Sequence, residues 1–128
     1  MRKTKLFFIN FDPYLTEVLI TVGATTDQTT RFIKKHRSYE LTTSDLEAIS
    51  ISDSEEARTA MLENGNPVLI LRKSPQDSME IGYLTHEIFH IVELTFARIG
   101  IKLVDSSSEA FAYAIGHLTT CILNKVKN

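Results

Sequence analysis

Residues 77–99 read DSMEIGYLTHEIFHIVELTFARI, a stretch with no proline and a single glycine. Apolar residues would lie on nearly every side of a helix with this sequence, so the stretch predicts a long buried helix. Gly100 follows directly, and glycine is typical of the position just beyond a helix C-terminus. After a short connection, the serines at 106–108 can cap a second helix that we expect to continue to Val126.

The residues before this helix pair alternate between strand and helix patterns. Strands are predicted at residues 4–11, 14–22, 58–62 and 68–72, and helices at residues 26–37 and 44–49. Asn64-Gly65 separates the last two strands and predicts an antiparallel hairpin. Because the sheet precedes the main helices, we expect an α+β fold rather than alternating parallel units. The fold would be a small antiparallel or mixed sheet packed on helices, and 128 residues suit a single domain.

The composition excludes some classes of function and favours a compartment. Lys and Arg number 14 against 16 Asp and Glu, so there is no basic excess for nucleic acid, which is not expected as a partner. The apolar run at residues 6–11 is too short for a membrane span or a signal-peptide core. Cys121 is the single cysteine and cannot form an internal disulfide. These features favour a cytoplasmic protein that does not bind membranes.

His86-Glu87-Ile88-Phe89-His90 lies inside the first C-terminal helix. Residues four apart share one helix face, so both imidazoles can bind one metal ion. Glu87 is turned about 100° away and can contact a water in the open coordination position. This is the arrangement of a metal-assisted hydrolase. The alternative is that these residues are ordinary helix residues with partners elsewhere in the protein.

A catalytic zinc needs a third protein ligand from outside this segment. Glu93 lies seven residues beyond His86, about 10 Å along the helix axis, which is too far for the same tetrahedron. Glu109 begins the following helix and is a better candidate, with Asp105 as the second choice. Glu109 has a structural alternative, because it could close a capping box with the backbone amide of Ser106.

Three segments together identify a resemblance. They are residues 85–90 (THEIFH), 98–101 (RIGI) and 107–113 (SSEAFAY). In them the chain resembles small zincin-like metallopeptidases of the gluzincin type, many of which are encoded by phages and prophages. The likeness covers roughly residues 58–120, and residues 1–57 match no motif of that family.

The resemblance implies a zincin-like domain with the metal site on its two C-terminal helices. In such a domain His86, His90 and Glu109 would hold Zn²⁺, and Glu87 would act as general base on a zinc-bound water. An upstream edge strand would border the cleft and receive an extended peptide.

Helix geometry adds two candidate catalytic residues. Tyr113 lies one turn beyond Glu109 and could stabilise an oxyanion, although an aromatic residue on such a helix is more often part of the core. His117 lies a further turn along and could donate to the transition state, although a half-exposed helix histidine is the more common case. We also expect Gly116 to permit close packing between helices.

Three functional hypotheses follow. The first is a zinc metallopeptidase that acts on a peptide or protein. The second is a catalytically inactive module that keeps zinc for stability and captures a protein or peptide partner. The third is a metal-free structural protein. The sequence leaves the oligomeric state open.

Overall fold

The computed structural model describes residues 4–14 and 16–126 of the chain. Its strands are β1 (Lys5–Asn10), β2 (Glu17–Val22), β3 (Ala57–Met61) and β4 (Pro67–Leu71). Its helices are α1 (Thr26–Arg37), α2 (Thr43–Ile49), α3 (Ser78–Arg98) and α4 (Ser108–Val126), with a 3₁₀ turn at Asp105–Ser107. The fold is α+β, as the sequence predicted, and each element lies within a few residues of its predicted position.

The four strands form one mixed sheet in the order β1-β2-β4-β3. β1 pairs antiparallel with β2. β3 pairs antiparallel with β4, as the Asn64-Gly65 turn predicted. The central pair, β2 and β4, is parallel, and α1 and α2 lie in the connection between the two strands. The sheet is therefore mixed, which lies within the predicted antiparallel or mixed sheet. Both central strands are almost entirely buried, which is typical of strands covered on both faces.

Helices cover both faces of the sheet, and each face has its own hydrophobic core. The larger core joins α3 and α4 to one face, through residues such as Ile20, Leu69, Ile88 and Leu118. The smaller core joins α1 and α2 to the opposite face through Leu19, Ile33, Ile49 and Ile70. Alternate residues of each central strand point to opposite faces, so each strand contributes to both cores.

α3 is amphipathic, whereas the sequence predicted a helix buried on all sides. Its buried residues lie on one face, against the sheet and α4: Leu84, Ile88, Ile91, Val92, Thr95 and Phe96. The helix ends at Arg98, and Gly100, whose φ is +82°, lies just beyond its C-terminus as predicted. No helix of the described residues is both long and apolar enough to cross a membrane.

The expectation for Gly116 was also wrong. An added Cβ at this position in α4 would meet no atom within 4 Å apart from its neighbours and its own helix backbone. Gly116 is exposed, so it does not bring two helices together.

Candidate metal centre

His86 and His90 form a close pair on the exposed face of α3. Their Nε2 atoms are 3.1 Å apart, and the ring planes meet at 81°. Two imidazoles bound to one zinc at about 2.0–2.1 Å with a tetrahedral angle would have nitrogens about 3.3 Å apart. The pair therefore fits a shared divalent ion with little rearrangement, and nitrogen donors of this kind suit zinc.

Glu87 is more sheltered than the neighbouring histidine. Its side chain is 15% exposed, against 67% for His86, and its Oε2 lies 3.9 Å from Nε2 of His86. The backbone carbonyl of Glu87 accepts a hydrogen bond of 3.0 Å from the hydroxyl of Thr59, which ties α3 to β3. A carboxylate so close to the paired imidazoles is well placed to exchange a proton with a water between them.

A cleft of about 500 Å³ opens beside these residues, between the start of β3 and the N-terminal half of α3. A volume of this size is in the range of small-molecule and peptide side-chain sites. Its lining residues are Ser54, Glu56, Ala57, Gly82, Tyr83, His86 and Glu87. The candidate metal ligand and the candidate base thus face the same cavity.

β3 borders this cleft with an unpaired edge. In the part of the chain that the structure describes, β4 is its only strand neighbour. The backbone N–H of Arg72 donates to the carbonyl of Glu56, so these two residues form a hydrogen-bonded pair of the antiparallel ladder. In such a ladder the next residue along the strand, and every second residue after it, directs its N–H and C=O away from the partner strand. Pro67 lies opposite Met61, at one of the positions where β4 needs no N–H toward β3. The residues with outward backbone groups are Ala57, Thr59 and Met61.

Glu93 contacts the far side of the second histidine. Its Oε1 lies 3.5 Å from Nδ1 of His90, within ion-pair distance and at the limit for a hydrogen bond. Glu93 therefore contacts Nδ1 of His90, the ring nitrogen that points away from His86. This position agrees with the expectation that Glu93 does not bind the same metal ion as the two histidines. A carboxylate in this place favours the tautomer that leaves Nε2 free to bind a cation.

Glu109 is exposed in the first turn of α4. Among residues 4–14 and 16–126, no three His, Cys, Asp or Glu side chains come together as a group that could hold a metal. The structure brings His86 and His90 together, with Glu87 3.9 Å from His86, but it does not bring Glu109 onto the histidine pair. The role of Glu109 as third ligand stays a prediction.

The capping alternative for Glu109 is not found among the described hydrogen bonds. The side chain that caps this turn belongs to Ser107, whose Oγ accepts a hydrogen bond of 3.0 Å from the amide of Val104. Asp105, the second choice for a ligand, is exposed, and its backbone carbonyl accepts from the hydroxyl of Ser108 at 3.1 Å. The carboxylate of Glu109 has no hydrogen bond or ion pair within the described part of the chain, so no structural role occupies it.

Tyr113 and His117 lie outside the lining of the cleft. Tyr113 is 76% exposed, so the alternative that it belongs to the core is wrong. His117 is also exposed, and its ring nitrogens lie 3.8 and 3.9 Å from the sulfur of Cys121. Catalytic roles for these two residues stay predictions of the sequence.

Comparisons of the chain with protein-family models, with curated proteins and with solved structures found no match.

Sequence reasoning missed five of the seven residues that line the cleft. Tyr83 precedes His86 by three positions and Glu87 by four, so helical spacing could have identified it. Ser54, Glu56, Ala57 and Gly82 gave no such signal. Ser54, Glu56 and Ala57 lie beside Gly82 and Tyr83 only because β3 packs next to α3, a tertiary contact that local patterns do not reveal.

Proposed function

We propose that the protein is a zinc-dependent hydrolase, a metallopeptidase that cleaves peptide bonds. The observation that carries this proposal is the pair of imidazole nitrogens 3.1 Å apart, with Glu87 beside them, at a cleft bordered by an unpaired strand. The resemblance of the THEIFH and SSEAFAY segments to gluzincins supports the same conclusion. The single free cysteine is in keeping with action in the cytoplasm.

The residues divide the chemistry between them. His86, His90 and Glu109 would hold the zinc. Zinc in such a site acts as a Lewis acid that polarises a carbonyl oxygen and lowers the pKa of water. The carboxylate of Glu87 accepts a proton from the attacking water and then donates it to the amine of the leaving peptide. This assignment needs Glu87 to be ionised before attack and neutral after it.

β3 would orient the substrate. An extended peptide can pair with the outward backbone groups of Ala57, Thr59 and Met61 and so add a strand to the sheet. Main-chain pairing of this kind holds the peptide independently of its sequence. It also places the peptide alongside the cleft that Glu87 and His86 line.

The first experiment measures zinc content by elemental analysis and hydrolysis with a synthetic peptide library. We expect Glu87→Gln to retain zinc and lose hydrolysis, because the amide cannot accept the proton. His86→Ala and His90→Ala should lose both zinc and hydrolysis. His36→Ala, which removes an exposed imidazole that contacts the ring of Phe32 in α1, serves as the matched control. Unchanged turnover in Glu87→Gln would contradict the proposed base.

The same experiment separates this function from its alternative. If the wild-type chain binds zinc stoichiometrically but cuts no peptide, the zinc-stabilised binding module is favoured. Removal of the metal with a chelator should then lower the thermal midpoint of the wild type and leave that of His86→Ala unchanged. A wild-type chain that binds no zinc at neutral pH would contradict both.

A further inference from the structure

Gly82 has no evident structural reason to be glycine. It lies inside α3, where glycine is the least favourable residue after proline. Its φ is not positive, and an added Cβ would meet no atom within 4 Å apart from its neighbours and its own helix backbone. Neither backbone conformation nor packing therefore requires it. What distinguishes the position is that it lines the cleft, where a side chain would occupy the space now open.

Two other residues shape the same part of the cleft. Tyr83 is 43% exposed, so an aromatic surface is available on the wall formed by α3. Ala57, at the start of β3, presents only a methyl group on the opposite wall. The space beside these residues is part of the cleft of about 500 Å³ and can receive a side chain of a peptide.

The charged residues that line this cleft are acidic. Glu56 has no ion pair within the part of the chain that the structure describes, and no Lys or Arg joins it in the lining. Lys73 lies close by, but its ammonium is bound to Glu80 at 2.6 Å. The hydrogen bond to Glu80 raises the pKa of Lys73, and the charge of Glu56 adds to the effect in a minor way. The Glu56 carboxylate is thus left for an external cation.

We propose, on the basis of the proposed function, that this part of the cleft is a subsite for an arginine or lysine side chain of the peptide substrate. The aliphatic stem lies over Gly82 and against the ring of Tyr83, and the cationic end meets Glu56. An aromatic ring also attracts a cation placed over its face, so Tyr83 contributes to selection as well as to shape. An acidic side chain is repelled by Glu56, and an apolar one leaves that carboxylate without a partner.

Small probes test the subsite without any need for hydrolysis. The full chain, with and without zinc, is titrated with N-acetyl-L-argininamide, N-acetyl-L-norleucinamide and N-acetyl-L-glutamic acid amide, and followed by NMR. We expect the arginine probe to bind most tightly and to shift the resonances of Gly82 and Tyr83. Equal binding of the arginine and norleucine probes, or shifts confined to other residues, would overturn the subsite.

Matched variants separate charge from shape. Glu56→Gln should weaken binding of the arginine probe about two- to fivefold, the range of an exposed ion pair, and the loss should shrink at high salt. Glu47→Gln removes a charge from α2 and should change nothing. Gly82→Leu should abolish binding of the arginine probe, whereas Gly116→Leu, at an equally open helix position outside the cleft, should not. Equal effects of the two leucine variants would overturn the assignment.

The cleavage-site profile of the zinc-loaded chain distinguishes failure of the subsite from failure of the proposed function. A preference for Arg or Lys beside the cut that Glu56→Gln reduces supports the subsite. Cleavage with no such preference overturns the subsite and leaves the peptidase intact. Probe binding at Gly82 in a chain that neither binds zinc nor cuts peptides overturns the peptidase and supports the subsite.

Discussion

The carboxylates of Asp105, in the 3₁₀ turn before α4, and of Glu109, in the first turn of α4, are both exposed. Loss of a residue that only hydrogen-bonds to a metal ligand typically weakens metal binding about 10–100-fold. If Glu109 is itself the third ligand, Glu109→Gln should weaken zinc binding by more than this. Asp105→Asn has the same change of charge and should leave the affinity unchanged. Competition with a chromophoric chelator measures both. If Asp105→Asn weakens zinc binding and Glu109→Gln does not, Asp105 is the third ligand instead.

These residues also show how far the sequence specifies the candidate site. The pairing of His86 and His90 follows from helical spacing alone, and the structure places their rings together as that spacing requires. Glu109 depends on how the chain turns between α3 and α4, which no local pattern determines. Tyr83 lay within the same helical pattern as the histidines, but its place in the cleft depends on β3, which is distant in sequence.

At the level of the elements, the two helical glycines allow a direct test. Gly82→Ala and Gly116→Ala should each stabilise the protein by about 0.5–1 kcal/mol, because alanine favours the helix interior and both positions are open. Gly65 is the contrasting case. Its φ is +93°, and an added Cβ would lie 2.0 Å from a guanidinium nitrogen of Arg98, so Gly65→Ala should destabilise the protein. Urea unfolding measures all three, and a loss of stability in Gly82→Ala would mean that Gly82 has a structural role.

Asp45 ties α2 to the turn between β3 and β4. It is 1% exposed and accepts hydrogen bonds from the hydroxyl of Tyr39 at 2.7 Å and from the amides of Thr42 and Glu63 at 3.1 and 2.9 Å. Burial would raise the pKa of Asp45, but the hydrogen bonds from Tyr39, Glu63 and Thr42 outweigh it and hold the pKa below its usual value. Its ionised form therefore stabilises the fold.

Asp45→Asn places an amide NH₂ against one of these donors and should cost about 2–3 kcal/mol at neutral pH. Because the pKa of Asp45 is lower in the folded state, its contribution is present above the unfolded-state pKa of about 3.9 and is lost as the pH falls through the folded value. The difference between wild type and variant should therefore shrink in urea unfolding at acid pH. Asp53→Asn, at an exposed loop position, is the control. A difference that stays constant with pH would contradict the role of the carboxylate.

At the level of the whole molecule, the sequence predicted the elements better than their arrangement. Each strand and helix has a local signal, such as the Asn64-Gly65 turn of the β3–β4 hairpin. The parallel pairing of β2 with β4 joins segments about fifty residues apart, and no turn specifies it. A signal was nevertheless present, because the uninterrupted apolar runs at residues 18–20 and 68–71 are typical of strands covered on both faces.

The unequal division of the core between the two faces has a dynamic consequence. α1 and α2 attach to the sheet through the smaller core, while α3 and α4 share the larger one. Local opening can therefore release the α1–α2 layer at a lower free energy, and its amide protons should exchange with deuterium faster than those of buried α3 residues such as Ile88 and Val92. Mass spectrometry of exchanged peptides measures this order. The protein would then have one layer that opens readily and one that resists opening, with the histidine pair anchored in the resistant layer.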